Sequence, residues 1–146
     1  MPLTGTYTRT LDEKQRVAVP KRLWEEFGDT DLRSLYISPG TDKSLTLYSP
    51  RGFETLTARM AEQSTTRVDV RNYLRLLYSR SEKVDLDGQG RIRIPERLVE
   101  FGSLQRDIVL LGVHDHAEIW DAGAWEQFLA KNSAEFDEMA ARAFNP

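Results

Sequence analysis

Two aspartate–arginine pairs with identical spacing are the residues of this chain best suited to binding chemistry, namely Asp12 with Arg16 and Asp87 with Arg91. An aspartate at the first position of a tight turn accepts hydrogen bonds from backbone N–H groups two or three residues later, which fixes the turn. The remaining carboxylate capacity can pair with the arginine, so that the guanidinium points in a set direction while its other donors stay free. Such an arginine can contact guanine or phosphate, or the pair can serve only to staple a hairpin.

More cations surround the first pair than the second. The side chains that would add sequence-independent attraction to a polyanion are Lys14, Arg9, Lys21 and Arg22. Residues 1–80 carry 13 lysines and arginines against 10 aspartates and glutamates, whereas residues 81–146 carry 7 against 13. A chain with a net charge of −3 can therefore bind a polyanion through its N-terminal half, although an uneven solvated surface explains the same distribution.

The two pairs belong to a longer internal repeat. Residues 11–28 read LDEKQRVAVPKRLWEEFG and residues 86–102 read LDGQGRIRIPERLVEFG. Five residues recur at matching places: Asp12/Asp87, Arg16/Arg91, Pro20/Pro95, Arg22/Arg97 and Leu23/Leu98. A period of about 75 residues is too long for a solenoid and predicts two half-domains that pack against each other.

Each repeat is predicted to begin with a hairpin and a short helix. Strands are expected at residues 6–11 and 16–19 around a turn at 12–15, and at 83–86 and 91–94 around a turn at 87–90. The alternation places Ile92 and Ile94 inward, with Arg91 and Arg93 on the opposite face. The helix follows Pro20 or Pro95, and we expect Gly28 and Gly102 to end it as left-handed cap residues.

The second part of each repeat predicts two more strands and a helix. The strands fall at residues 35–38 and 44–48 and, in the copy, at 108–111 and 117–120. Ser49-Pro50 and Asp121-Ala122 are typical of helix starts, with Phe53 and Trp125 at matching places. Each half therefore reads strand, strand, helix, strand, strand, helix.

Halves of this size bury too little apolar surface to stand alone. Interleaving their strands would give a mainly β, α+β fold, a small pseudo-twofold β-barrel decorated with short helices. The expected boundaries are 5–51 for the first half-domain, 52–80 for a connecting helical segment, 81–124 for the second half-domain and 125–146 for a C-terminal helical tail.

An amphipathic helix is predicted between the halves, at residues 66–79. Residues 66–69 resemble a capping box, and apolar residues follow at helical spacing from Val70. The opposite face carries Arg67, Arg71 and Arg75, which could contact phosphate, face solvent or join subunits. Residues 131–146 could form a terminal helix or remain mobile.

Composition narrows the class of protein. The chain has 146 residues, 40% of them hydrophobic, and no cysteine, which excludes disulfides, thiolate metal sites and a cysteine nucleophile. We find no leader-like segment and no apolar run long enough to span a bilayer. A soluble, cytoplasmic protein is expected.

The repeated Asp-x-x-x-Arg turn, the Arg-hydrophobic-x-hydrophobic-Pro strand after it and the short helix ending in Phe-Gly resemble the MraZ family of bacterial transcriptional regulators. The resemblance runs from residue 5 to about residue 129 and implies two AbrB-like (SpoVT-type) half-domains in one barrel. It further implies a ring-shaped homo-oligomer on the nucleoid that binds repeated double-stranded DNA sites upstream of the division and cell-wall genes. The expected DNA-binding residues are Arg16, Lys14, Asp12, Arg9, Lys21, Arg22, Arg91 and Asp87, without cofactor, metal or small-molecule substrate. Gln15 departs from the family's usual glycine, and Gln89 replaces the lysine in the second turn.

Two other classes of function compete with DNA binding. His114 and His116 could point toward a metal, and Asp85 with Asp87 could form an acid/base pair. The other repeat has no matching histidine and has Thr10 where Asp85 stands, and Asp87 belongs to the turn motif. A surface turn and a structural turn therefore explain these residues better, and we predict no enzyme. The second alternative is an assembly or interaction module that does not bind DNA.

Overall fold

The computed structural model describes residues 2–29 and 31–145, and its elements follow the same order in both repeats. The first repeat contains β1 (Thr6–Thr10), β2 (Arg16–Ala18), α1 (Lys21–Glu26), β3 (Ser34–Pro39), β4 (Leu45–Tyr48) and α2 (Pro50–Ala61). The connecting helix and the second repeat are α3 (Val68–Arg80), β5 (Glu82–Asp85), β6 (Arg91–Arg93), α4 (Glu96–Phe101), β7 (Asp107–Val113), β8 (His116–Asp121) and α5 (Ala122–Asn132). A 3₁₀ turn (Ser133–Glu135) and α6 (Phe136–Phe144) follow. The predicted α+β class and the duplicated element order are confirmed.

Strands from the two repeats interleave. Six of them form an antiparallel sheet in the order β1-β7-β8-β4-β3-β5, in which both outer strands, β1 and β5, pair with a strand of the other repeat. The remaining two, β2 and β6, form a two-stranded antiparallel sheet, which we call the ribbon. Closure of all strands into one barrel stays a prediction.

The predicted hairpins at residues 6–19 and 83–94 are wrong in one respect, because their strands do not pair with each other. β1 pairs with β7, and β5 with β3, whereas β2 and β6 pair across the repeats. Only the turns keep a hairpin-like backbone contact, from Asp12 N to the Arg16 carbonyl at 3.0 Å and from Asp87 N to the Arg91 carbonyl at 2.9 Å. Exchange of strands lets the halves share one core, which neither could form alone.

The shared core explains why the ribbon is fixed to the large sheet. Val17 and Ile92 from the ribbon are buried with Leu35, Leu47 and Leu110 from the six-stranded sheet in a single apolar cluster. Burying such a side chain contributes roughly 1.5–3 kcal/mol. The ribbon therefore presents its other face outward on a rigid support.

Helices α2 and α5 cover the outer face of the sheet at equivalent places. Ser49 accepts a hydrogen bond from Gly52 N, and Asp121 accepts from Gly123 N and Ala124 N, so both predicted helix starts are confirmed. In α2 the Phe53 ring stacks on Tyr36 with centroids 4.2 Å apart. In α5 Trp125 packs edge-on against a tryptophan of β8, at 5.2 Å between ring centroids.

The short helices end in the same way in both repeats, but different residue types take the left-handed position. Gly28 has a φ of 78° and is the predicted left-handed residue. Gly102 is helical, with a φ of −82°, and Ser103 takes the left-handed conformation instead, with a φ of 49°. The prediction for Gly102 is therefore wrong: α1 and α4 both have six residues, and the left-handed residue is the second one after the helix in each, Gly28 after Glu26 and Ser103 after Phe101.

The predicted capping box at the start of α3 is also wrong. The helix begins at Val68 with Arg67 at the N-cap and no side-chain cap. The Thr66 hydroxyl bonds to Ser64 at 2.8 Å instead of to the helix, and Arg67 pairs with Asp69 at 2.7 Å. The carbonyls of Thr65 and Thr66 accept hydrogen bonds from Arg71.

The tail, for which the sequence left two alternatives open, is helical up to Phe144. Its α6 makes its main contacts with the 3₁₀ turn that precedes it. Among the described residues, no helix combines the length and the apolar character needed to cross a membrane.

Candidate functional site

The first Asp–Arg turn is held by three hydrogen bonds to one carboxylate. Asp12 Oδ1 accepts from Lys14 N at 2.9 Å and from Arg16 N at 2.8 Å, and Oδ2 accepts from Arg16 Nε at 2.8 Å. These bonds, with the Arg16 backbone N–H contributing most, hold the pKa of Asp12 below its usual range. Because Nε is used in the pair, the terminal guanidinium nitrogens of Arg16 stay available to a ligand.

The second turn repeats this geometry atom for atom. Asp87 Oδ1 accepts from Gln89 N and Arg91 N, both at 2.9 Å, and Oδ2 accepts from Arg91 Nε at 2.8 Å. The pKa of Asp87 is also lowered, mainly by the Arg91 backbone hydrogen bond. The predicted pairing is confirmed in both copies, with backbone donors two and four residues after the aspartate.

Gln15 takes the same backbone conformation as the glycine at the equivalent position. Its φ is 62°, beside 74° for Gly90, and each residue donates its N–H to the carbonyl of the turn aspartate. A side chain in this left-handed region costs about 1 kcal/mol. The departure from glycine therefore preserves the turn type and places strain in the first turn.

The ribbon joins both turns into one surface. Gln15 O accepts from Ile94 N at 2.8 Å and Gly90 O from Val19 N at 3.0 Å, so each turn adjoins the strand that leaves the other. Between them the register pairs Arg16 with Arg93 and Ala18 with Arg91. With Val17 and Ile92 buried, three arginines share the outward face, namely Arg16, Arg91 and Arg93.

Sequence reasoning missed Arg93 as a site residue. The alternation of the strand places it outward, but its position opposite Arg16 depends on pairing between the repeats. The two ends of the ribbon are consequently unequal. The end with the first turn carries Lys14, Arg16 and Arg93, whereas the other end has Gln89 and Ala18 beside Arg91.

Each turn also adjoins an arginine of the other repeat, which the sequence could not indicate. Leu11 N donates to the Arg106 carbonyl at 2.7 Å, and Leu86 N donates to the Arg33 carbonyl at 2.9 Å. Both arginines are exposed, and Arg106 lines a surface cleft together with Asp12. They extend the cationic surface at the base of each turn.

The remaining predicted cations lie outside the ribbon. Lys21 and Arg22 are exposed at the start of α1, three and four residues after β2 ends. Arg9 lies on β1 of the six-stranded sheet, where its Nη1 donates to the Thr8 carbonyl at 2.8 Å and its guanidinium lies 6.0 Å from the Tyr7 ring centroid. The structure thus brings together the Asp–Arg residues and Lys14, and leaves Arg9 on a different strand.

His114 lies in the turn between β7 and β8, and His116 is the first residue of β8. His116 Nδ1 lies 2.7 Å from Asp115 and Nε2 lies 3.4 Å from Glu118, with the ring stacked on Tyr48. Burial lowers the pKa of His116, but the hydrogen bonds to Glu118 and Asp115 outweigh that effect and raise the pKa. In residues 2–29 and 31–145, no three His, Asp or Glu side chains are grouped so as to hold a metal ion.

Comparison with known proteins accounts for both repeats. A family profile described as "MraZ protein, putative antitoxin-like" matches residues 3–76 and again residues 77–145. A protein of Mycoplasmoides gallisepticum named transcriptional regulator MraZ is 35% identical over 93% of this chain and 93% of its own length. Proteins of the same name from Leifsonia xyli subsp. xyli and Alkaliphilus metalliredigens are 36% and 33% identical, over 90% and 94% of each chain.

These relatives span nearly the whole chain and both copies of the repeat. They are named for regulation, in agreement with the prediction that the chain is not an enzyme. The Asp–Arg turns, the interleaved repeats and the similarity along the chain lead to one identification: the chain belongs to the MraZ family.

Proposed function

We propose that this chain is a transcriptional regulator that binds double-stranded DNA through the outward face of the ribbon. The supporting observation is the pair of guanidiniums, each held by an aspartate on a rigid strand with its terminal donors free. A two-stranded β-ribbon fits the major groove, where an arginine can read guanine O6 and N7 with two hydrogen bonds. The family and the names of the relatives support the regulatory role.

The residues of the surface divide into two roles. Arg16 makes the discriminating base contact, and Arg93 and Arg91 extend it along the ribbon. Lys14, with Lys21, Arg22 and Arg9, contributes attraction to phosphate that does not depend on sequence. The aspartates Asp12 and Asp87 aim the arginines and do not contact DNA themselves.

Self-association reconciles DNA binding with a net charge of −3. One ribbon offers few cations, but a ring of identical subunits on repeated sites raises the effective concentration, with a gain of about 10² to 10⁴ over one site. We accordingly propose a ring-shaped homo-oligomer associated with the nucleoid. Its repeated sites lie upstream of the division and cell-wall genes, including its own.

The decisive experiment removes one guanidinium and keeps the fold. Arg16→Ala is expected to abolish binding to the chain's own upstream DNA in a gel shift and to leave the oligomer size unchanged. Arg51→Ala is the matched control, because it removes the same charge from an exposed position on α2. Unchanged affinity in the Arg16 variant would contradict the proposal.

An assembly module that does not bind DNA is the second candidate, and the exposed apolar side chains of α3 and α6 favour it. A footprint of the protein on its upstream DNA distinguishes the two. Protection of repeated sites supports the regulator, whereas unprotected DNA at saturating protein supports the assembly module.

A further inference from the structure

The large apolar side chains that are exposed in the described chain concentrate on the connecting and C-terminal helices. Apart from Val113, all of them belong to α3, α5 or α6: Val68, Tyr73, Leu76, Tyr78, Leu129, Phe136, Met139 and Phe144. Phe136 and Phe144 are 70% and 84% exposed. Clustering of this kind marks a contact surface, whereas scattered exposed apolar residues need no explanation.

In the part of the chain that the structure describes, the apolar side of α6 is largely left open. Phe136, Met139, Ala140 and Ala143 follow the i, i+3, i+4, i+7 pattern of a buried face, but the helix packs mainly on the short turn before it. A helix of 9 residues is marginal in water without packing, since about 12–15 residues are needed even for good helix formers. The sequence and length of α6 therefore indicate that it packs against a partner surface.

The outer side of α3 offers a surface of matching chemistry. Its inner side is fixed to the body through buried Leu77, whereas Val68, Arg75 and Leu76 lie together on the solvent side at i, i+7 and i+8. Within residues 2–29 and 31–145, the Arg75 guanidinium makes one hydrogen bond, to Asn72 of the same helix at 3.3 Å. An apolar surface with an available guanidinium is thus exposed along the helix.

Charge selects the pairing between these two surfaces. Residues 67–80 contain four arginines and one aspartate, whereas residues 133–145 contain three acidic residues and one arginine. Two α6 helices would bring carboxylates together, and two α3 helices would bring guanidiniums together, each of which is unfavourable. Only contact between α3 and α6 joins apolar surfaces and opposite charges at once.

We propose that α6 of one copy of this chain binds the outer side of α3 of a second copy. The contact is head-to-tail: a pair of copies keeps one α3 and one α6 free, so assembly continues until a ring closes. This inference rests on the proposed self-association and assigns it a surface on helices, separate from the ribbon. It also gives the α3 arginines a role between subunits.

Two variants with complementary defects test the contact. Phe136→Glu with Phe144→Glu disables α6, and Val68→Glu with Leu76→Glu disables α3; all four side chains are exposed, so the subunit fold is retained. Val113→Glu, at an exposed apolar position outside both helices, is the control. Mass in solution is measured by light scattering and sedimentation over a range of concentrations without DNA.

We expect each double variant to be monomeric, with self-association at least about 100-fold weaker than in the wild type and in the control, as at an interface centred on apolar anchors. An equimolar mixture of the two double variants should form 1:1 dimers and nothing larger, because one intact α3 meets one intact α6. A mixture that stays monomeric, or a double variant that assembles like the wild type, would overturn the contact.

A DNA measurement separates this inference from the proposed function. Each monomeric variant should bind a duplex with a single site as tightly as one wild-type ribbon does, because the ribbon is unchanged. A wild type that stays monomeric would overturn the helix contact and leave the ribbon proposal intact. Assembly that persists in Arg16→Ala while DNA binding disappears supports both assignments.

Discussion

The two ends of the ribbon have the same geometry and different charge. Both turns use one aspartate to bind two backbone N–H groups and one arginine Nε, at distances that agree within 0.1 Å. Around them, Lys14 and Arg93 accompany Arg16, whereas Gln89 and Ala18 accompany Arg91. Both repeats therefore keep the turn in which an aspartate positions an arginine, but the charges around the two turns differ.

This difference predicts that the two ends of the ribbon contribute unequally to DNA binding. Three cations at the first end can combine base recognition with attraction to phosphate. At the second end, Arg91 is the one arginine on the ribbon itself and can add one further contact. A matched substitution at the two ends should therefore have unequal effects on DNA binding and equal effects on the turn itself.

The largest expected effect comes from removing the arginine at each end in turn. Arg16→Ala should cost about 1–3 kcal/mol per ribbon and Arg91→Ala less, because the second end has fewer supporting cations. Affinity for a single-site duplex, measured by titration at fixed salt, gives both values. Equal losses of affinity would show that the two ends contribute equally and would contradict this prediction.

Substitutions at the equivalent turn positions Lys14 and Gln89 should change the salt dependence of DNA binding. Lys14→Gln is expected to reduce the slope of log K against log salt by about 1, and Gln89→Lys to increase it by up to the same amount. Binding titrations at several salt concentrations measure both slopes. A slope unchanged by Lys14→Gln would place that lysine away from phosphate.

Backbone strain in the first turn should make the two turns respond differently to substitution, as measured by the free energy of unfolding. Gly90→Gln forces a side chain into the left-handed region and should destabilise the protein by about 1 kcal/mol, since an added Cβ meets nothing within 4 Å and only the conformation is penalised. Gln15→Gly should stabilise it by less than about 1 kcal/mol, because glycine also gains freedom when unfolded. Urea unfolding measures both; destabilisation by Gln15→Gly would contradict the strain assigned to the first turn.

The smallest difference between the ends should be their response to acid. The pKa of each aspartate is lowered from 3.8, so each pair contributes stability that is present above that pH and lost as the pH falls through the folded-state pKa. Asp12→Asn and Asp87→Asn should each flatten the acid limb of the melting temperature against pH, by similar amounts. A flattening in one variant alone would show that the two pairs are not equivalent.

The turns and the duplicated elements can be predicted from the sequence, because the residue patterns that determine them are local. An aspartate four residues before an arginine predicts the turn, the pairing and the free donors, and repetition of the pattern predicts the duplicated elements. The starts of α2 and α5 follow from Ser49 and Asp121 for the same reason.

The wrong predictions concern choices that depend on distant residues. Strands beside a tight turn look like a hairpin, and only the shared core shows that β2 pairs with β6. The juxtaposition of Arg93 with Arg16, and of Arg106 with the first turn, arises from that exchange. At the end of α4 the left-handed position falls on Ser103 instead of Gly102, because α4 keeps the length of α1 whereas the glycine comes one residue earlier in the second repeat.

The central claim is that the aspartate aims the arginine, and Asp12→Asn tests it most directly. The substitution makes the ribbon more positive, and asparagine still accepts a hydrogen bond from the turn backbone. If Asp12 positions Arg16, affinity for the specific site falls while affinity for unrelated DNA stays equal or rises. Specific binding that is equal to or tighter than that of the wild type would contradict the account, because charge alone would then explain the interaction.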